Sequence, residues 1–254
     1  MCRLCDSSSD AASGSRPETS RRRFLHVAGG MAASLALTPL AFASQAAAKD
    51  AKPQPKPQNQ MSPAAAFDRL MKGNARYVDG VSRRHDFKHE REALVGGQNP
   101  YASILSCADS RIAPEYAFDS GRGDLFVCRV AGNFANDDTV ASLEYGVAVL
   151  NSPLILVLGH DSCGAVDATI KSLKDDTTLP GHLPSLVNAL APAVKATKDK
   201  PGDPLANATR QNVIDVVARL KSATPILSAA AAEGKIKIVG GIYRLDSGKV
   251  EMVG

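Results

Sequence analysis

Two short segments carry most of the chemistry in this chain, "CADSR" (107–111) and "GHDSCG" (159–164). The first sets a thiol, a carboxylate and a guanidinium at alternate positions: Cys107, Asp109 and Arg111. The second sets an imidazole and a thiol three residues apart, His160 and Cys163. Zinc takes two thiolates and one imidazole readily, and three protein donors leave a tetrahedral ion one position free for water or substrate. An H-x-x-C pair alone is weak evidence, because such spacings arise often by chance. Joined to C-x-D-x-R at the end of a second strand, it becomes strong. Asp109 as a fourth ligand would close the site. Otherwise Arg111 is placed to hold Asp109 by a charge-assisted pair that keeps the carboxylate ionised and oriented.

Bringing the two segments together requires a frame. Four apolar runs have strand length: "YASILS" (101–106), "DLFVCRV" (124–130), "PLILVLG" (153–159) and "KIKIVGGIY" (235–243). Helical patterns at 137–150, 164–173, 183–196 and 207–221 lie between them. This alternation predicts an α/β fold, a mostly parallel β-sheet flanked by helices, with "KVEMV" (249–253) returning as an antiparallel edge strand. Ligands of such sheets collect at the carboxyl ends of the strands, where both motifs fall. Upstream, "MSPAAAFDRLMKGNARYVDG" (61–80) predicts a helix with Ser62 as N-cap, Pro63 at its first position and Gly80 as its stop. Phe67, Leu70, Met71 and Tyr77 form its apolar stripe. Cys128, inside a strand, reads as core packing.

Residues 1–48 read as a targeting segment rather than as structure. "TSRRRFLHVAGG" (19–30) leads into a weakly apolar stretch from Val27 to about Ala43, with small residues Ala41 and Ala43 fit for a signal peptidase. The segment resembles a twin-arginine export signal, which predicts a periplasmic protein exported already folded. Residues 49–61 read as a Pro-rich linker and 62–254 as the folded domain. Cys2 and Cys5 would leave with the signal. The net charge of +4 owes much to these leading segments. The body shows no basic face interleaved with aromatics, which argues against nucleic-acid binding. Stable membrane association is not expected once the signal is removed. The body also lacks the C-x-x-C pair of a thiol redox protein.

The stretches "AFDRLMKGNARYV", "CADSR", "RVAGN", "LEYGV", "GHDSCGAV", "RQNVIDVV" and "VGGIYRLDSGKV" together resemble the β-class carbonic anhydrases over almost all of the body. The resemblance implies a zinc enzyme that hydrates carbon dioxide to bicarbonate and a proton. It implies one Zn2+ per subunit on Cys107, His160 and Cys163, with Asp109 and Arg111 as the pair that orients zinc-bound hydroxide. It also allows a resting form in which Asp109 itself ligates the metal. Ala108 stands where the family more often has serine, and Val130 where asparagine is common. Gln98, Phe126 and Tyr145 match the substrate pocket of the plant-like subclass, with Ala131 and Gly164 lining the rest. Ile104 occupies the position of the tryptophan that marks the bicarbonate-regulated subclass. His85, His89 and His182 are candidates to relay the product proton. A homodimer or homotetramer is implied, with the pocket built across the interface and the N-terminal helix clasping the partner. Two alternatives keep the metal: a hydrolase of carbon disulfide or carbonyl sulfide, and a non-catalytic zinc-binding protein.

Overall fold

A computed structural model describes residues 60–253. The signal segment, nearly all of the linker, and Cys2 and Cys5 lie outside the described residues. Five strands form one sheet: β1 (Ala102–Ser106), β2 (Leu125–Arg129), β3 (Leu154–His160), β4 (Lys237–Tyr243) and β5 (Val250–Val253). Their order is β2-β1-β3-β4-β5, parallel throughout except for antiparallel β5. β3 is buried at every position because its neighbours cover both edges and helices cover both faces. Side chains alternate between two cores. Leu105, Ile155, Val157 and Ile238 point to one face and Ile104, Leu154, Leu156 and Leu158 to the other.

The first face is covered by α4 (Asp137–Ala148), α7 (Pro204–Ser222) and α8 (Ile226–Ala232), through residues such as Leu143, Val213 and Leu227. The second is covered by α1 (Pro63–Val78) and the single turn α3 (Pro114–Ala117). A third, smaller cluster joins Cys107 and Cys163 to α5 (Gly164–Lys174), α6 (Leu183–Ala196) and α7. A short helix, α2 (Phe87–Ala93), follows α1.

Helix α1 begins as its sequence predicts. Ser62 caps it by accepting the Ala65 N–H at 3.2 Å, Pro63 opens it, and Gly80 lies just beyond its end in the left-handed region. Its buried row is Ala66, Leu70, Gly73 and Asn74, only one of which belongs to the apolar stripe. Asn74 donates to the carbonyls of Ala117 (2.9 Å) and Gly248 (2.8 Å) and accepts the Val250 N–H (2.9 Å). This face of the helix is therefore docked on its own chain. The stripe is split: Leu70 is buried, Phe67 and Met71 are partly covered, and Tyr77 sits at the rim, where its hydroxyl meets that of Tyr243 at 3.1 Å.

A Cβ at Gly73 would stand 2.0 Å from the Phe118 carbonyl oxygen, a backbone atom that cannot swing aside. Alanine ordinarily gains up to about 1 kcal/mol over glycine in a helix, but overpacking of this kind costs about 1–3 kcal/mol. Gly73→Ala should therefore lower the midpoint of urea unfolding, and an unchanged or raised midpoint would show that α1 does not seat here.

Candidate metal centre

The sheet order makes the site. From β1 the chain crosses to β2 on one side, then returns to place β3 on the other side of β1, so a crevice opens between the carboxyl ends of β1 and β3. Cys107 is the first residue beyond β1, His160 is the last of β3, and Cys163 is the N-cap of α5. Ser162, between the latter two, takes a left-handed backbone (φ 52°) that turns the chain sharply enough for both side chains to converge. The two sulfurs and one ring nitrogen lie within 4.8 Å of one another, and all three residues are buried. Among the described residues this is the one group of three or more such donors close enough to share an ion.

The donors suit a cation. The ring Nδ1 of His160 lies 2.8 Å from the Asp161 carbonyl oxygen, to which it donates, leaving Nε2 facing the sulfurs. That Nε2 is buried with no hydrogen-bond partner, an orphan that burial would penalise unless something binds it. Without an ion the two thiols compete for protons. The Cys107 thiol is pushed down to about 4 by a hydrogen bond from Cys163, outweighing burial, with help from His160 and the Gly132 N–H. The Cys163 thiol is pushed up, because the Cys107 thiolate holds its proton and burial disfavours a second charge. Burial works against a proton on His160, but the Cys107 sulfur favours one and the net shift is upward. A divalent ion would replace these protons with a charge that all three donors share. Val166, Leu190 and Ala208 close around the sulfurs and keep them dry.

Asp109 and Arg111 form the pair that their spacing predicts. Oδ1 accepts the Arg111 backbone N–H and Nε–H, both at 2.9 Å, and Oδ2 accepts Nη2–H at 2.7 Å. These bonds hold the carboxyl well below the usual carboxylate range. Nη2 of Arg111 also donates to the Ser162 carbonyl at 3.2 Å, tying the "CADSR" loop to the "HDSC" loop. Asp109 Oδ2 stands 3.9 Å from His160 Nε2, beside the three-donor group rather than within it.

Other expected site residues lie elsewhere in the chain. Phe126 and Tyr145 come together, with ring centroids 6.1 Å apart, and both are partly or largely exposed. Phe126, however, pairs in register with Ser103, four positions before Cys107, or about 13 Å back along the strand. Gln98 is exposed in the loop before β1, also towards the amino end of the sheet. Gly164 adjoins the centre, and a Cβ added there would meet nothing within 4 Å. Ala131 is half-buried in the turn beside Cys107. His85 bonds Glu90 at 2.9 Å near Gly121, at the far end of the sheet. His89 pairs with Asp86 on the surface, and His182 precedes α6. Cys128 packs against the first core, and burial pushes its thiol up.

Residue types and spacing leave three supports unassigned. Arg129 donates to the carbonyls of Cys107 (3.0 Å) and Asp109 (2.6 Å), clamping the loop between them. Gly132 donates its N–H to the Cys107 sulfur at 3.2 Å, and Asn212 donates to the Gly132 carbonyl at 2.9 Å. The signal for all three lay in "RVAGN" and "RQNV", without a spacing that reveals the contacts. Val130 acts through its backbone there, accepting from Ala108 and Asn133 and donating to Ser106, so the loss of an asparagine side chain leaves the turn intact.

The carbonic anhydrase family model matches residues 102–250, from the start of β1 into β5. "Carbonic anhydrase 2" of Mycobacterium tuberculosis is 40% identical over 189 residues, 74% of this chain and 91% of that one. The chain belongs to the β-class carbonic anhydrases. A carbonic anhydrase of Mycolicibacterium smegmatis is 38% identical over 75% of this chain and 93% of its own. Among solved structures, the beta-carbonic anhydrase CcaA superposes with a TM-score of 0.58 at 28% identity, over 74% of this chain and 95% of that one. As a carbonic anhydrase, the chain carries a Cys–His–Cys group that could hold a metal ion for hydrating carbon dioxide.

Proposed function

We propose that this carbonic anhydrase interconverts carbon dioxide and bicarbonate at one zinc ion per chain, held by Cys107, His160 and Cys163. The observation that carries the proposal is the buried, unpartnered Nε2 of His160 facing two sulfurs, with an arginine-bound carboxylate 3.9 Å away. Bound there, zinc supplies the Lewis acidity that makes water a nucleophile near neutral pH. The chain's own residues then do the aiming. Asp109 is too strongly acidic in its Arg111 clamp to keep a proton, so it acts as a fixed acceptor that orients the attacking water. Arg111 and Arg129 both hold its loop, one by the carboxylate and one by the main chain. Inductively coupled plasma analysis with stopped-flow hydration, run beside sulfide release from carbon disulfide and carbonyl sulfide, tests the reading. One zinc per chain with hydration dominant is the expected result; no bound metal, or faster sulfide release, would overturn it.

The substrate wall comes from a second copy in this reading. Phe126 and Tyr145 stand too far from their own chain's ligands to touch a substrate there, yet they present partly exposed aromatic surface. A homodimer, alone or within a tetramer, brings these residues and Gln98 of one chain over the metal of the other, facing Ala131 and Gly164. The exposed Val78 and Val81 at the end of α1 and Tyr116 on α3 offer it apolar surface. Hybrid dimers test this. A Cys163→Ser chain lacks a metal but keeps its wall, and a Phe126→Ala chain keeps its metal but lacks a wall. Co-assembled in equal amounts, they should recover roughly a quarter of wild-type activity, because half of statistically mixed dimers contain one complete site. No recovery above either parent would place the wall within a single chain.

The "SRRRFLH" segment supports export in the folded state, with zinc shielding the thiolates on arrival in an oxidising periplasm. Fractionation of cells should find the protein in the periplasm, and replacing Arg21 and Arg22 with lysine should retain it in the cytoplasm.

A further inference from the structure

Two thiolates cancel the formal charge of a divalent ion, so a Cys–His–Cys centre needs some means of restraining the electron donation of its sulfurs. Hydrogen bonds to sulfur are one such means, since they withdraw density from the ligand and tune the metal. Here the donor is the main chain. Residues 130–133 form a turn closed by the Asn133 N–H on the Val130 carbonyl at 2.9 Å, with Gly132 at φ 81°. Glycine at the third position with that φ is the signature of a type II turn, whose central peptide can flip to the opposite orientation. In the observed orientation its N–H points at the Cys107 sulfur, 3.2 Å away. Flipping that peptide would turn the N–H away from the metal centre.

Two contacts hold Gly132 itself in place. Leu190 of α6 packs so closely that a Cβ on Gly132 would lie 2.8 Å from it. On α7, the Asn212 side-chain amide donates to the Gly132 carbonyl at 2.9 Å. Asn212 is only 4% exposed, so its amide has been taken from water and committed to the peptide that joins Gly132 to Asn133, whose N–H closes the turn. We infer that Asn212 is a positioning residue of the metal centre, pinning the 130–133 turn so that the Gly132 N–H stays aimed at the Cys107 sulfur. The inference rests on the reading of Cys107 as a metal ligand. It makes a residue from a helix outside both motifs part of the control of ligand strength.

The test uses the full chain loaded with NMR-active cadmium in place of zinc. In the wild-type protein the Gly132 amide proton should show scalar coupling to the metal through the N–H···S bond. Asn212→Leu keeps the side-chain size and removes the donor. That variant should lose the coupling and move the thiolate-to-metal charge-transfer band of the cobalt form to lower energy. Its zinc affinity in chelator competition should fall about 10–100-fold, the usual cost of removing a group behind a ligand. Asn212→Gln, which retains an amide donor, should recover part of each change. A merely structural asparagine predicts a different result: lower thermal stability in Asn212→Leu with the coupling and the band unmoved, which would overturn the inference. If Asn212→Leu folds poorly, the wild-type spectrum still decides, since bound cadmium without coupling to Gly132 overturns it as well. Failure of cadmium to bind at all would instead discredit the metal reading of the centre.

Discussion

Cys163→Ser should leave a folded protein that cannot keep zinc and has lost hydration by a factor of about 1,000 or more. The size of the effect follows from the donor set. Removing one of three ligands leaves two, and a serine hydroxyl keeps its proton near neutral pH, where a thiolate binds by having lost one. The fold is protected by the position. Cys163 is the N-cap of α5 and makes no capping hydrogen bond with its side chain, whereas serine is among the residues best suited to that role. Thermal stability of the metal-free variant should therefore equal or exceed that of the metal-free parent, separating loss of metal from loss of structure. Dialysis against a chelator followed by metal analysis reads the first effect, and a melting curve reads the second. Stoichiometric zinc in Cys163→Ser would mean that the ion sits elsewhere.

Asp109→Ala should do the opposite: keep zinc at the parent's stoichiometry and lose hydration about 100–10,000-fold, the range for removing a group that handles the proton of a nucleophile. Zinc should stay because Asp109 stands beside the three donors and both of its oxygens are taken by Arg111. The loop should stay because Arg129 grips it by the carbonyls of Cys107 and Asp109, contacts that do not need the carboxylate. Arg111 also retains the Ser162 carbonyl as a partner. Near-normal hydration by a zinc-loaded Asp109→Ala protein would leave the Asp–Arg pair a structural ion pair and refute its aiming role.

The parts that were legible in the sequence are those encoded by local pattern. Four continuous apolar runs placed β1 to β4 to within a few residues, because a sheet covered on both faces admits few polar residues, and "KVEMV" marked β5. Ser62 and Pro63 marked the start of α1, since a cap acts within one turn. The short helices α2, α3 and α8 escaped notice because one or two turns carry too little periodicity to stand out. The buried face of α1 was missed in part because it is built from Ala66, Gly73 and Asn74. Glycine is there to let a backbone approach, and asparagine to satisfy three main-chain groups.

By itself the sequence singled out the groups that the fold brings together: two thiols, an imidazole and an arginine-paired carboxylate, each following or beginning a recognisable element. The tertiary structure alone decided which groups surround them. Strand order placed β1 beside β3 rather than leaving their ends apart, turning two motifs about fifty residues distant into one triangle of potential donors. Strand register set Phe126 level with Ser103, away from its own chain's ligands. Packing of α7 brought Asn212 to the turn behind Cys107. Side-chain chemistry is written one residue at a time, whereas such distances depend on how non-neighbouring elements stack, which no local pattern specifies.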